Sequence, residues 1–302
     1  MTKYDLIIIG AGPAGLTAGL YGARSGLKTA IISKDIGGTA NSILLLENWP
    51  GFKGTGSELM KSFYENLKDY EIDILMNDVE SIERKSGYFS VKTKKQEFEC
   101  KAVVIATGTE RKKLNVKGEK ELTGRGVSYC VTCDSFFFKG KTVGVVGGSD
   151  CAATSALALS DIAKEVYIFY RGEKLRCEDI NSKRLESKKN VKFFYNAIPK
   201  EIKGEEKVEA LVIEKKGKKE EIKLDGIFIE IGSTPLIDFF KKLELKLDEE
   251  NHIIVNETMS TSVHGIFAAG DVTNSKLKQV VVAASQGAIA AKSAYEFISR
   301  KS

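Results

Sequence analysis

The chain has 302 residues, enough for two domains of ordinary size, each with its own core. A hydrophobic content of 42% with 29% charged residues describes a globular protein and excludes a disordered or collagen-like one. The net charge of +5 comes from lysines interleaved with glutamates, as at Lys215, Lys216, Lys218 and Lys219 between Glu214 and Glu220, which marks solvated edges and turns and no nucleic-acid surface.

At the amino end, the apolar stretch Leu6 to Ile9 runs straight into a glycine turn. It reads as a buried strand, because a secretory signal has a longer apolar core followed by a cleavage site, and the expected location is the cytoplasm. No apolar run approaches the roughly 20 residues needed to cross a bilayer, so no membrane partner is expected. The pattern gives a strand over Tyr4 to Ile9, a helix over Gly12 to Ser25 and a second strand over Thr29 to Ser33, a βαβ unit. Its turn is Gly10-Ala11-Gly12-Pro13-Ala14-Gly15. In such a turn the first glycine permits the bend, the second lets a pyrophosphate approach, and the third lets helix and strand pack closely. The acidic residue expected at the end of the second strand is missing, and Ser33 stands about there.

The same order of strand, glycine turn, helix and strand returns at Thr142 to Val146, Gly147 to Ile162 and Val166 to Tyr170. One such turn holds one pyrophosphate, so two of them predict two nucleotide sites on two sheets. The chain then passes through Gly226 to Ile231 to a last segment, Gly265 to Ile298, which opens with a strand ending at Gly270 and Asp271.

Between the two turns lies Cys130-Val131-Thr132-Cys133, followed at once by Asp134. The chain has five cysteines, and Cys100, Cys151 and Cys177 stand alone, which is no secreted disulfide framework. A zinc site would need four ligands, and only His252 and His264 could join the pair, so no metal is expected. A dithiol beside a carboxylate, set between two nucleotide turns, suggests electron transfer from a nicotinamide-type donor through a flavin to a disulfide. With histidine scarce, Asp134 is the acid–base candidate; the alternative is a helix cap at a turn beginning with Ser135.

Taken in order, these residues resemble the low-molecular-weight thioredoxin reductases, within the pyridine-nucleotide disulfide oxidoreductases. The likeness runs over nearly the whole chain. It includes Gly37-Gly38-Thr39, Glu47-Asn48-Trp49-Pro50-Gly51, Ile105-Ala106-Thr107-Gly108, the Cys-x-x-Cys-Asp motif, Gly232-Ser233-Thr234-Pro235, Ala269-Gly270-Asp271 and Lys278-Gln279. The resemblance implies an α/β fold of two dinucleotide-binding, Rossmann-like domains, the second inserted in the first. Residues 1–113 and 232–302 would bind FAD, and 114–231 would carry the redox dithiol and an NAD(P)H-type site.

It further implies that Gly10, Gly12 and Gly15 hold the FAD pyrophosphate. Gly37, Gly38, Thr39 and Asn48 would lie along the flavin side, with Ala106, Thr107 and Gly108 also at the cofactor. Asp271, after Gly270, would bind a ribityl hydroxyl, Gln279 would sit beside the ring, and Lys278 would also be at the cofactor. Other readings are a helix cap for Asp271 and a turn residue for Asn48. By the same resemblance Cys133 takes electrons at the flavin, and Cys130 exchanges with the disulfide of thioredoxin or a thioredoxin-like protein. The family implies a homodimer and a small domain that rotates on its two joints, with Gly118 and Gly232 as pivots.

Two departures bear on the donor. In the second turn, Gly147-Gly148-Ser149-Asp150-Cys151-Ala152, serine replaces the family's second glycine. After the next strand the family's arginine-rich grip on the 2′-phosphate of NADPH is reduced to Arg171 and Arg176, with Gly172 between them. The expected donor is NADPH. Ferredoxin, a deazaflavin and NADH stand as alternative donors, and a non-catalytic flavin redox sensor as the alternative function.

Overall fold

The computed structural model describes residues 2–43 and 45–300; Met1, Leu44, Lys301 and Ser302, which belong to the expected FAD-binding segments, lie outside the described residues. The chain divides into two units, Met1–Glu110 with Thr234–Ser302, and Arg111–Ser233.

In the first unit, strand β1 (Thr2–Ala11) leads into helix α1 (Pro13–Arg24) and strand β2 (Thr29–Ile36). β1 lies between β2 and strand Glu97–Ile105, parallel to both, with Ile7 opposite Ala30 and Val103. Strand Ile72–Met76 extends the parallel set beyond β2, and Ile266–Ala268 pairs with the end of Glu97–Ile105. Strands Phe89–Thr93 and Val79–Arg84 continue the sheet in antiparallel order. Leu6, Ile7, Ile8, Ile31, Ile32, Val103 and Val104 are wholly buried, the continuous apolar runs of strands covered on both faces. Helix Val280–Ser299 packs on α1 so tightly that a methyl group at Gly287 would lie 2.1 Å from the Ala14 carbonyl oxygen.

The second unit repeats the plan with a five-stranded parallel sheet. Its order is Val127–Ser128, Gly226–Ile229, Thr142–Val146, Glu165–Tyr170 and Val191–Tyr195. An antiparallel meander, Ile198–Lys203, Ala210–Lys215 and Lys218–Lys223, completes it. In each unit a glycine turn follows a central strand whose two neighbours lead to different connections. That is the switch point at which α/β sheets bind nucleotides.

Two expectations need correction. β2 does not stop at Ser33 but runs to Ile36, because the pairing with β1 shifts register and resumes at Ala11 opposite Ile36. The acid at the strand's end is therefore Asp35, whose carboxylate accepts the Gly38 N–H at 3.0 Å. Gly118 is no pivot between the units. The chain crosses at Glu110–Arg111, and Gly118 sits inside the second unit, where a Cβ would lie 1.9 Å from the Ile202 carbonyl oxygen. Gly232, φ +97 with open space around it, does adjoin the return crossing at Ser233–Thr234. Among the described residues no helix is long and apolar enough to cross a membrane.

Candidate active site

The first glycine turn gathers residues from three parts of the chain. Gly10 lies against Ala106, whose N–H donates to the Ile9 carbonyl at 2.8 Å, and a Cβ on Gly10 would meet the Ala106 oxygen at 2.3 Å. Gly15 is bare for the same reason, with a Cβ placed 1.8 Å from the Gly10 oxygen. Gly12 differs. It caps α1 in an extended conformation, φ −77 and ψ −171, and a Cβ there would meet only the Gly37 oxygen, at 3.9 Å. The backbone does not require glycine at this position, and the space it leaves fits an approaching phosphate at a helix N-terminus. Gly37 closes on the turn by donating to Ala11 O at 2.7 Å, which brings Gly38 and Thr39 alongside.

Further polar groups stand beside this turn and at the start of the last helix, and one of them has no partner within the protein. The Thr107 hydroxyl is buried without a hydrogen-bond partner among the described residues. Buried hydroxyls are rarely left so unless something else completes them. Asp271 sits beside Gly270, and burial pushes its carboxyl above the ordinary range, opposed by the nearby Lys278 ammonium. Lys278 is itself shifted down by burial, and it donates to the carbonyls of Asp271, at 2.9 Å, and Thr273. Asn48 Nδ2 donates to Gln279 Oε1 at 3.0 Å, joining two sequence-distant residues at the start of helix Val280–Ser299. Asn48 is thus a strand residue with a distant partner, and the reading as a turn residue falls away.

In the second unit Cys130 and Cys133 form a disulfide, Cα–Cα 5.4 Å. Cys130 caps a single helical turn, Val131–Asp134, and its Sγ accepts the Cys133 N–H at 3.2 Å. Ser128, buried, holds the Cys130 backbone through two bonds, accepting from its N–H at 3.0 Å and donating to its oxygen at 3.2 Å. Asp134 is half-buried and stands at the start of the 3₁₀ turn Ser135–Phe138, yet its side chain makes no capping bond. The carboxylate beside Cys133 is therefore not engaged in capping that turn.

The second glycine turn keeps the first one's backbone. Ser149 caps helix Asp150–Ser160 at φ −92 and ψ −179, close to the values at Gly12, and its side chain makes no capping bond. Serine is thus tolerated without strain, but its Cβ and hydroxyl fill the direction that Gly12 leaves open. The Tyr170 ring packs on Gly148, where a Cβ would meet it at 2.4 Å, and the Arg176 N–H donates to the Gly148 oxygen at 2.6 Å. Arg171, Lys174 and Arg176 are exposed beside this turn, with no ion-pair partner among the described residues.

Three features escaped the sequence reading. Phe136 and Phe137, 80% and 68% exposed, lie shortly after the dithiol, while Phe138 at the end of the same 3₁₀ turn is buried. Glu119, buried, accepts the backbone N–H groups of Leu114 at 2.8 Å and Asn115 at 2.5 Å and the Tyr129 hydroxyl at 2.6 Å. Arg111 and Glu230 form a partly buried ion pair at 2.6 Å. Partners 10 and 119 residues apart leave no local signal.

A family model described as pyridine nucleotide-disulphide oxidoreductase matches residues 4–287, and the chain belongs to that family. Its relatives narrow the class. The chain is 42% identical to the thioredoxin reductase of Bacillus subtilis over 300 residues, 98% of this chain and 95% of that one. Among solved structures, the thioredoxin reductase of Lactococcus lactis matches at 37% identity and a TM-score of 0.96, covering 98% of this chain and 99% of that one. A ferredoxin-flavin thioredoxin reductase from Clostridium acetobutylicum matches at 33% identity and a TM-score of 0.54, covering 98% of each chain.

Proposed function

We propose that the protein is a thioredoxin-disulfide reductase that binds FAD in its first unit and takes electrons from NADPH bound in its second. The observation that carries this reading is the Cys130–Cys133 disulfide with a free carboxylate at Asp134, in a chain whose relatives are named thioredoxin reductases.

The first turn fits FAD. Gly12 leaves room for a pyrophosphate at the α1 N-terminus, and the unpartnered Thr107 hydroxyl and the Asp271 carboxyl offer hydrogen-bonding groups. Asn48, Lys278 and Gln279 would border the ring, and the Lys278 ammonium favours negative charge nearby. Bound there, FAD supplies a two-electron carrier between the nicotinamide and the disulfide. Two electrons and two protons open the disulfide to two thiols. The Cys133 N–H directed at the Cys130 sulfur favours the thiolate at Cys130, which makes it the nucleophile toward a partner. That thiolate attacks the partner's disulfide, forming one mixed disulfide and expelling one partner thiolate. Cys133 then attacks Cys130 Sγ, which re-forms the internal disulfide and releases the reduced partner. Asp134 delivers a proton to a leaving thiolate and takes one from the attacking thiol. Phe136 and Phe137 give the partner an apolar surface beside the exchanging sulfurs.

A second reading keeps the disulfide chemistry and replaces NADPH by ferredoxin, a deazaflavin or NADH. For ferredoxin and a deazaflavin it is favoured by one observation, the serine in the phosphate-facing position of the second turn, which hinders both nicotinamide cofactors alike. Anaerobic titration of the FAD-loaded protein with NADPH, NADH and reduced ferredoxin separates the two. NADPH is expected to bleach the flavin below millimolar concentration. Arg171→Ala should weaken NADPH by about ten- to a hundredfold, the worth of one charge-assisted phosphate contact, and leave NADH unchanged. If neither nicotinamide cofactor bleaches the flavin at millimolar concentration, the donor is a protein or a deazaflavin.

A further inference from the structure

We infer that Arg111 is a ligand for the pyrophosphate of the nicotinamide dinucleotide, a contact supplied neither by the glycine turn nor by the basic loop after Tyr170. The inference rests on the second turn's being a nicotinamide site.

Arg111 opens the second unit, and Glu230 lies close to the residue that ends it, Ser233. Glu230 follows directly on the strand beside Thr142–Val146, and its N–H donates to the Val146 oxygen at 2.7 Å. Its carbonyl abuts the turn, since a Cβ on Gly147 would lie 2.2 Å from the Glu230 oxygen. The Glu230 side chain, 2% exposed, is held on both oxygens: Ser155 of helix Asp150–Ser160 donates to Oε1 at 2.9 Å, and Arg111 Nη1 to Oε2 at 2.6 Å. The Cys151 thiol, in the first turn of the same helix, is raised by burial and lowered in part by the charge of the Arg111 guanidinium. Arg111 is thus fixed between the crevice strand and the helix start, where a dinucleotide's phosphates belong.

Charge makes the assignment. A lone buried carboxylate at this place would repel a pyrophosphate, and burial already pushes the Glu230 carboxyl above its ordinary range. Arg111 neutralises it with one of five N–H donors and stays 29% exposed, leaving donors for an incoming anion. The contact offsets part of what Ser149 takes away. Because the pyrophosphate is common to both cofactors, it serves NADPH and NADH alike.

Binding of NADP+ and NAD+ to the oxidised, FAD-loaded protein, followed by titration calorimetry, tests this. Arg111→Ala alone strands a buried carboxylate and could unfold the unit, so the decisive protein is the double variant Arg111→Ala/Glu230→Gln, compared with Glu230→Gln. Glu230→Gln should bind both nucleotides at least as well as the unaltered protein. The double variant should bind both about ten- to a hundredfold more weakly. A double variant within about twofold of Glu230→Gln, or one weakened for NADP+ alone, overturns the role at the pyrophosphate. If the unaltered protein binds neither nucleotide, the nicotinamide site itself fails and the inference with it, whereas thioredoxin reduction from another donor would survive.

Discussion

At the scale of one residue, the proposed proton chemistry rests on Asp134. Its carboxylate lies next to Cys133 at the start of a 3₁₀ turn and is not spent on capping that turn. Replacing it with asparagine keeps size and polarity but removes the proton. Thioredoxin turnover should fall by about 100- to 10,000-fold, the usual worth of a positioned acid–base group, with FAD content unchanged. Stopped-flow reoxidation of the reduced enzyme by oxidised thioredoxin measures it, and a rate within about twofold of the unaltered protein would assign the proton to solvent. The candidate was legible in the sequence, because only two histidines compete for the role. The matched backbone at Gly12 and Ser149 was not. That the torsions of Gly12 do not themselves require glycine appears only once both turns are seen in the same extended conformation.

At the scale of an element, the segment Val127–Ser128 and the dithiol after it are anchored from a distance. The Tyr129 hydroxyl, one residue before Cys130, donates to Glu119, which also gathers the N–H groups of Leu114 and Asn115. Burial, reinforced by the Glu119 carboxylate, pushes the Tyr129 hydroxyl up to about 12. The folded-state value lies above the ordinary one of about 10, so this bond contributes in full below that pH and is lost as pH rises through about 12. Tyr129→Phe should therefore cost about 1.5 kcal/mol at pH 8, and the gap to the unaltered protein should close between pH 10 and 12. Urea unfolding across that range checks it; a gap that stays constant would mean that the ring's packing, and not the hydroxyl, is what counts. The strand–turn–helix units were readable from apolar runs bounded by glycine. The far end of β2 was not, because Lys34 and Asp35 break the apolar run while the backbone pairing continues to Ile36.

For the whole molecule, two glycine turns so far apart in sequence correctly indicated two sheets, each with its turn at a switch point. The crossings were harder to read. Glycine at 118 suggested a joint, yet its φ of +85 serves a close approach to Ile202 inside the second unit. Arg111, which does lie at a crossing, and its partner Glu230 are ordinary charged residues. The central claim is that electrons leave the protein through the Cys130–Cys133 pair to thioredoxin. The most direct test is NADPH-dependent thioredoxin reduction by the FAD-loaded Cys130→Ser protein, followed alongside bleaching of its flavin. Bleaching should proceed as in the unaltered protein while thioredoxin reduction falls to background. Near-normal thioredoxin turnover by Cys130→Ser would contradict the account.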